Sequence, residues 1–409
     1  MKQESGARTL RRSMEVGDLD ARAVTRLRVL NAIREAGRAS RTDLAAALKL
    51  SPATVTFVTS GLMAGGLIEE VPEKDAPDTS RRGRPRVALR LTRGRLSVAG
   101  IKVAREVMSV LVLDFDGTEL AQREVPLPEA RMEPRALVLA IRAALEQTCA
   151  DISGGIDTLA GVSIGMAGQI DAGARFVHWS SSLVGRNVDL APLLHEHLPC
   201  AAFVENDANL VAKAEHLFGQ AKGLSNFLVV TVEHGVGLGI VLDGKLYRGE
   251  RGCGAEFGHT KVALDGADCQ CGQKGCLEAY VGGYALQAQA VQSDPALAAA
   301  TVADLIAAGR AGHGDVADIL ERAGHMFGMG LSNLINLFDP ECIIIAGARD
   351  PLDHLQTDAV RARIRQGVVS VDAPLPAIRS HSWGDLMWAR GAAALGIEQV
   401  SALKIKELA

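Results

Sequence analysis

His259, Cys269, Cys271 and Cys276 put one imidazole and three thiols into the short stretch 259–276. Thiolate and imidazole are the donors zinc prefers. Three cysteines with one histidine complete a tetrahedral set that leaves no position open for a reacting water. Such a closed set predicts a structural Zn2+ rather than a catalytic one. Gly272 and Gly275 lie inside the loop, where a chain that doubles back within a few residues needs backbone freedom. The plainer reading, a loop with incidental cysteines, requires three thiols to crowd into eight residues by chance. Cys149, Cys200, Cys253 and Cys342 are scattered, and an odd total of seven does not make a disulfide framework.

The elements that hold this loop are spread over 409 residues, enough for two or three domains. A composition of 48% hydrophobic and 22% charged residues is that of a chain able to bury a large core. No run of 18 uncharged apolar residues occurs, and Met1 to Asp20 is polar where a leader peptide would be apolar. The expectation is a cytoplasmic protein without membrane insertion. Up to residue 95 there are 19 Lys and Arg against 11 Asp and Glu, a balance of +8, which leaves −12 for the remainder of a chain of net charge −4. A basic head on an acidic body points to a polyanion met by the head alone, against the alternative of a merely solvated basic segment.

Residues 1–20 read as a disordered segment, and 21–95 as a winged helix-turn-helix. Val24, Leu27, Leu30 and Ile33 recur at helical spacing, and Gly37 ends that helix. Ser40 with Asp43 resembles a capping box before a short helix that buries Leu44 and Leu48. Ser51-Pro52 then supplies an N-cap and a first-turn proline for a third helix, which turns Val55, Val58 and Leu62 inward and stops near Gly65-Gly66. Its outward residues, Ser51, Ala53, Thr56 and Phe57, offer hydroxyls and apolar groups to base edges in a major groove. The alternative is a helical hairpin serving only dimer contacts. After Leu67-Ile68, an acidic, proline-containing loop from Glu69 to Thr79 and a strand-like Val87 to Leu91 match two wing strands around a flexible tip. Between them Arg82-Gly83-Arg84-Pro85 resembles the core of an AT-hook, extended and narrow enough for the minor groove of A·T-rich DNA. The alternative there is a basic linker.

From Ser97 the pattern becomes α/β. Val98 to Val103 and Val107 to Leu113 read as paired strands with a turn at Asp116-Gly117, followed by a helix over Arg135 to Ala150 and a buried strand over Leu159 to Ile164. Ala202 to Val204 is a strand leading into Asn206-Asp207 and a helix to Phe218. Phe227 to Val232 starts the plan again, and Cys342 to Ile345 is a last buried strand. Hairpin, strand and helix recurring in this way predict two related lobes with a cleft between them.

Glu256, Gly258 and His259, followed by Cys269-Gln270-Cys271-Gly272-Gln273-Lys274-Gly275-Cys276-Leu277-Glu278, resemble the signature of ROK proteins. That family mixes sugar kinases with sugar-responsive repressors. The resemblance covers about 96–400 and implies an α/β, two-lobed actin-like ATPase fold with a structural zinc site over 96–409. The winged helix at the front resembles the head of the repressor branch. Asn206 and Asp207 match the family's pair, in which the Asn binds a sugar hydroxyl and the Asp is the catalytic base. A carboxylate can take the proton of a hydroxyl attacking a phosphoryl group. Glu256 and Glu278 match carboxylates that accept hydrogen bonds from the sugar, and His259 matches a residue ligating zinc beside it. The pocket's expected Asn corresponds to Ser182, and Arg186 stands where the kinases often have tryptophan.

The departures bear on activity. Family kinases hold ATP phosphates with Asp-x-Gly-Gly-Thr; the corresponding stretch here is Lys102-Val103-Ala104-Arg105-Glu106. Side chains replace glycines and Glu106 repels phosphate. The second phosphate loop reads Glu233-His234-Gly235-Val236-Gly237-Leu238-Gly239, with Glu233 and His234 where glycine and threonine belong. This resembles the glucose and N-acetylglucosamine repressors of the family. The expectation is a non-enzymatic, homodimeric or homotetrameric transcriptional regulator. It would bind an operator in double-stranded DNA and release it on binding a sugar or sugar-phosphate. The alternative is an ATP-dependent sugar kinase with an added head, with Asp207 as a retained, otherwise vestigial, base. A third reading has the body docking a sugar-transporter protein.

Overall fold

The first helix is capped by a side chain: the Ala23 amide donates to the Asp20 carboxylate at 2.7 Å, opening α1 (Ala21–Ala36). This is a computed structural model that describes residues 20–72, 87–347, 352–369, 374–382, 384 and 386–408. Residues 1–19 of the segment expected to be disordered, and the basic hook Arg82-Gly83-Arg84-Pro85, lie outside the described residues.

In the head, α1 buries Ala23, Leu27, Leu30 and Ile33. Val24 is 40% exposed, because Ala23 takes the place on the inner stripe that the spacing assigned to it. Ala39–Ser40 forms β1. The capping box at Ser40 and Asp43 opens α2 (Arg41–Leu48), which buries Leu44 but leaves Leu48 half-exposed. The third helix, α3 (Pro52–Ala64), starts at the Ser51 cap and buries Val55, Val58, Thr59 and Leu62. The two expected wing strands are present, and the first runs further than the sequence suggested. Ile68–Pro72 is a strand, β2, rather than the start of a loop, and pairs antiparallel with β3 (Val87–Leu91); β1 adds on the far side of β3. Its consecutive glutamates hide the alternation of a strand, but both are held by arginines: Glu69 by Arg90 and Glu70 by Arg41, each at 2.8 Å.

The chain clusters into two units, 1–205 with 392–409, and 206–391. In the first, β4 (Ser97–Val103), β5 (Val107–Asp114) and β6 (Glu119–Pro126) form an antiparallel meander. Then α4 (Pro134–Thr148) crosses to β7 (Leu159–Met166), which lies parallel to β4. A small sheet of β8 (Gly168–Asp171), β9 (Phe176–Ser180) and β10 (Val188–Asp189) follows, then α5 (Ala191–His197) and β11 (Ala201–Asn206). The large sheet has the order β11-β7-β4-β5-β6. Its core joins Ile101, Val110, Val162 and Ile164 to Val138 and Ile141 of α4.

The second unit repeats the plan. After α6 (Asp207–Leu217) come β12 (Phe227–Val232), β13 (Val236–Leu242) and β14 (Lys245–Tyr247), again an antiparallel meander. The helices α7 (Glu278–Val281), α8 (Gly283–Ser293), α9 (Val302–Arg310) and α10 (Gly314–Phe338) lead to β15 (Cys342–Gly347), parallel to β12. Next come α11 (Asp358–Gly367) and β16 (Ala377–Ser382), parallel to β15. The order β16-β15-β12-β13-β14 matches the first sheet strand for strand. The last helix, α12 (Met387–Glu407), starts in the second unit and ends in the first. No helix among the described residues is long and apolar enough to cross a membrane.

Gly237 and Gly239 have a packing reason. Both lie in β13 beneath α6. A Cβ on Gly239 would stand 2.7 Å from both the Ala208 carbonyl oxygen and the Ala212 Cβ, and one on Gly237 would stand 2.8 Å from the Ala208 Cβ. Their place in a phosphate-loop pattern is therefore also what helix-on-sheet contact demands. Gly239→Ala is expected to destabilise the fold by about 1–3 kcal/mol through overpacking, read as a lower urea midpoint. An unchanged midpoint would show that α6 can move away.

Candidate metal centre, ligand residues and reading helix

The loop 259–276 is tied into a tight double turn by its own backbone. Val262 donates to the Gly275 carbonyl at 2.9 Å, Cys269 to Gln273 at 2.8 Å and Gly275 to Ala267 at 2.8 Å. Gly275 has φ +71°, and a Cβ there would land on the Ala263 carbonyl oxygen, so only glycine fits. Gly272 turns the chain at φ +87°. These turns bring His259, Cys269, Cys271 and Cys276 together, with their ligand atoms all within 4.8 Å of one another. Cys271 Sγ lies 3.8 Å from Cys276 Sγ, and Cys269 Sγ lies 3.7 Å from His259 Nδ1. A tetrahedral Zn2+ with its usual bond lengths has S···S edges of about 3.8 Å and S···N edges of about 3.6 Å. The donor set and its edges therefore fit a metal of that kind.

One neighbour escaped the sequence reading. Lys261 Nζ donates to Cys276 Sγ at 2.9 Å and to Gln273 Oε1 at 2.6 Å. Three thiolates around a divalent ion leave a net negative centre, and an ammonium against one sulfur offsets that charge. Tyr284 is a second such neighbour, its hydroxyl 3.5 Å from Cys269 Sγ; burial raises its phenol above the ordinary range, the sulfur contact adding to the shift.

Five of the residues assigned to a sugar, Asn206, Asp207, Glu256, His259 and Glu278, belong to the second unit, and Ser182 to the first. Asn206 caps α6, its Oδ1 accepting the Ala208 amide at 2.9 Å. Asp207 is the first residue of that helix, and its carboxylate accepts the same amide at 3.0 Å. Glu256 is exposed at the start of the short turn Phe257–His259 that carries the histidine ligand. Glu278 opens α7 and has a structural partner: its Oε2 accepts the Val236 amide at 3.0 Å, with Oε1 3.9 Å from Cys269 Sγ. It ties the glycine loop to the metal loop. A Cβ at Gly235 would stand 2.6 Å from its carboxylate. Ser182 is buried, its amide donating to Ser180 Oγ at 3.2 Å.

In the two loops that the sequence reading matched to phosphate cradles, some amides are engaged within the chain. The stretch Ala104–Glu106 is the turn between β4 and β5, with the Ala104 amide donating to the Val107 carbonyl at 3.0 Å. In the second loop the Glu233 amide donates to the Gly235 carbonyl at 2.9 Å, and the Val236 amide is held by Glu278.

On α3, Ala53, Thr56 and Phe57 face solvent, Phe57 with 67% of its surface exposed. Thr56 Oγ1 donates to the Pro52 carbonyl at 2.9 Å, and Ser51 Oγ accepts the Thr54 amide at 3.0 Å. Ser51 thus caps the helix, whereas the other three present a free face.

A family model described as winged helix-turn-helix DNA-binding matches residues 22–69. The chain is 28% identical over 373 residues to the N-acetylglucosamine repressor of Escherichia coli O6:H1, spanning 89% of each protein. It is 30% identical over 285 residues to a glucokinase of Streptomyces coelicolor, spanning 66% of this chain and 87% of that one. A crystal structure of a ROK family transcriptional regulator, a homologue of the E. coli MLC protein, superposes with a TM-score of 0.80 at 24% identity, covering 95% and 98% of the two chains; this likeness is one of fold. The ROK family model itself matches residues 98–399, from the first strand of the body into the last helix, and with the metal loop and doubled sheet in place the chain belongs to the ROK family.

Proposed function

We propose that this protein is a sequence-specific DNA-binding regulator, a repressor of carbohydrate-metabolism genes, whose body binds a sugar or sugar-phosphate and does not phosphorylate it. One observation carries the reading: a winged helix with an uncommitted outer face on α3 is joined to a ROK body, in a chain similar along 89% of its length to a sugar-named repressor. Ala53, Thr56 and Phe57 read base edges, with Ser51 setting the start of the helix. Arg82, Gly83, Arg84 and Pro85 enter the minor groove. Asn206, Asp207, Glu256 and Glu278, with His259 beside them, hold the sugar. His259, Cys269, Cys271 and Cys276 hold a structural Zn2+, which fixes the loop carrying His259. The regulator works in the cytoplasm as a homodimer or homotetramer, so that two heads meet two half-sites.

The test is a gel shift on duplexes selected by the protein from a random pool, with glucose, N-acetylglucosamine, xylose and their phosphates added in turn. Release by one of them supports the reading; no effect from any of them counts against it. Recovery of a sugar-transporter component as the partner would move sensing to protein docking. On the head itself, Thr56→Ala with Phe57→Ala is expected to weaken operator binding about tenfold or more, each base contact being worth about 1–3 kcal/mol. Stability should stay within about 0.5 kcal/mol, because both residues are exposed. Undiminished binding by the double variant would remove α3 as the reader.

A sugar kinase with an added head is the second reading. It is favoured by Asp207 at the start of α6 and by the similarity to the glucokinase.

A further inference from the structure

The helix α12 belongs to both units, and each of its ends is fixed to something functional. Met387–Gly391 lies in the unit that carries Asp207. There Gly391 sits directly on α6: a Cβ at Gly391 would land on the Leu210 carbonyl oxygen, one turn along from Asp207. Met387 is fully buried with Val211 and Ala212 of the same helix. The far end of α12 lies in the unit that carries the head. Ser401 is fully buried, and its Oγ accepts a hydrogen bond from Arg34 Nη2 of α1 at 3.1 Å. Seven residues on, Leu408 abuts the end of the reading helix; a Cβ at Gly65 would stand 2.5 Å from its Cδ2.

Arg34 makes more than this one contact. Its Nε donates to the Phe115 carbonyl at 3.4 Å, its Cζ lies 5.0 Å from the centre of the Phe115 ring, and Nη1 donates to Asn31 Oδ1 at 2.5 Å. Arg34 is half-buried; burial lowers the guanidinium to about 10, so it remains charged at neutral pH. The turn it grips also holds the linker from the head. Arg93 pairs with Asp116 at 2.7 Å, Gly94 donates to the Asp114 carboxylate at 3.1 Å, and Phe115 donates to the Leu96 carbonyl at 3.0 Å. Beside the clasp lies a cavity of about 310 Å³, lined by Arg34, Arg38, Arg90, Arg93 and Asp116 among others. Polar contacts through Arg34, Arg93 and Gly94 thus help to tie head to body there. An arrangement of that kind can be loosened without unfolding either part.

We propose that α12 is the rod that couples the ligand residues at the start of α6 to the reading head, and that Arg34 is the positioning residue through which the head follows it. This rests on the reading that a sugar-class ligand binds around Asp207. A shift of α6 on ligand binding moves Gly391 with it. A stiff helix carries that displacement to Ser401 and Leu408, and so to the two helices of the head they touch. Arg34 touches neither DNA nor sugar in this scheme; it sets the orientation in which α3 is presented.

The test uses the full chain with wild-type sequence, Arg34→Met, Arg34→Lys and Ser401→Ala, and the same sugars and sugar phosphates as probes. Operator affinity is measured with and without each probe, and probe affinity is measured without DNA. In the wild type the effective sugar is expected to weaken operator binding about tenfold or more. In Arg34→Met that ratio falls to within about twofold of unity while probe affinity is unchanged, which lost stability alone would not produce. Arg34→Lys restores part of the ratio, and Ser401→Ala lowers it less than Arg34→Met. Hydrogen exchange on the same proteins is expected to rise in Arg34→Met at 31–37, 114–118 and 398–405. A wild-type ratio retained by a folded Arg34→Met overturns the proposal. If no probe affects even the wild type, the sugar-sensing reading fails, and the clasp is then decided by exchange alone: unchanged protection at those three segments overturns it.

Discussion

Cys276→Ser is expected to empty the metal loop and to lower the unfolding temperature of the chain by about 10 °C. Cys276 is fully buried, and its sulfur is shared between the ligand cluster and the Lys261 ammonium. A serine hydroxyl stays protonated at neutral pH, so the variant loses a thiolate ligand and leaves Lys261 beside a neutral oxygen. Structural Zn2+ sites of this kind contribute about 10–16 kcal/mol of apparent binding free energy, much of which appears as folding free energy. A loss of only about 3 kcal/mol corresponds to about 6–12 °C for a unit of this size. Metal content measured by plasma mass spectrometry should fall from about one zinc per chain to near none. Chelation of the wild type should reproduce the drop in stability. Cys253→Ser is the control, since Cys253 lies outside the cluster and its Sγ faces the Arg251 carbonyl oxygen at 3.4 Å; it should keep both metal and stability. A Cys276→Ser protein with full metal and unchanged unfolding would remove the structural role assigned to the loop.

The metal loop was legible because all four donors fall within one short stretch, so that spacing alone implied proximity. The head was legible for a related reason: Ser40, Ser51, Gly37 and Gly65 mark helix ends by local chemistry that needs no tertiary partner. Strands with long apolar runs were legible too, Val98 to Val103, Val107 to Leu113 and Phe227 to Val232 among them; β2 and β6 were not. The strand β2 carries two consecutive glutamates, Glu69 and Glu70, whose partners, Arg90 and Arg41, lie 21 and 29 residues away. The edge strand β6, mostly exposed, carries Gln122, Arg123 and Glu124 in succession and shows no apolar alternation. Arg34 looks like any other arginine on an amphipathic helix. What distinguishes it comes from Phe115 and Ser401, 81 and 367 residues further along. The glycines of β13 were legible as a motif but carried a second meaning, since Gly237 and Gly239 are required by Ala208 and Ala212 of α6 whether or not a phosphate ever binds. Glu278 likewise turned out to hold the Val236 amide, a contact that no spacing announces.

The doubled sheet makes the kinase question one of two short loops, and Asp207→Asn separates the readings. The substitution keeps the shape of the side chain and an oxygen able to accept the Ala208 amide, which Asp207 does at 3.0 Å, so α6 should still start where it does. What it removes is the charge. A hydrogen bond from a sugar hydroxyl to a carboxylate is worth about 1.5–3 kcal/mol, so a receptor that uses Asp207 to hold its ligand should bind sugar about 10–150-fold more weakly. The concentration needed to release DNA should rise by the same factor. A kinase would instead lose phosphoryl transfer by about 10²–10⁴-fold through the missing base. The receptor outcome is expected because amides in the two matched loops are engaged within the chain: Ala104 on Val107, Glu233 on Gly235 and Val236 on Glu278. Phosphate binding at such loops depends on amides left free to point at the ligand. ADP and a non-hydrolysable ATP analogue are accordingly expected to leave the unfolding temperature of the wild type unchanged, with or without sugar. A nucleotide-dependent rise together with loss of sugar phosphorylation in Asp207→Asn would make this chain an enzyme.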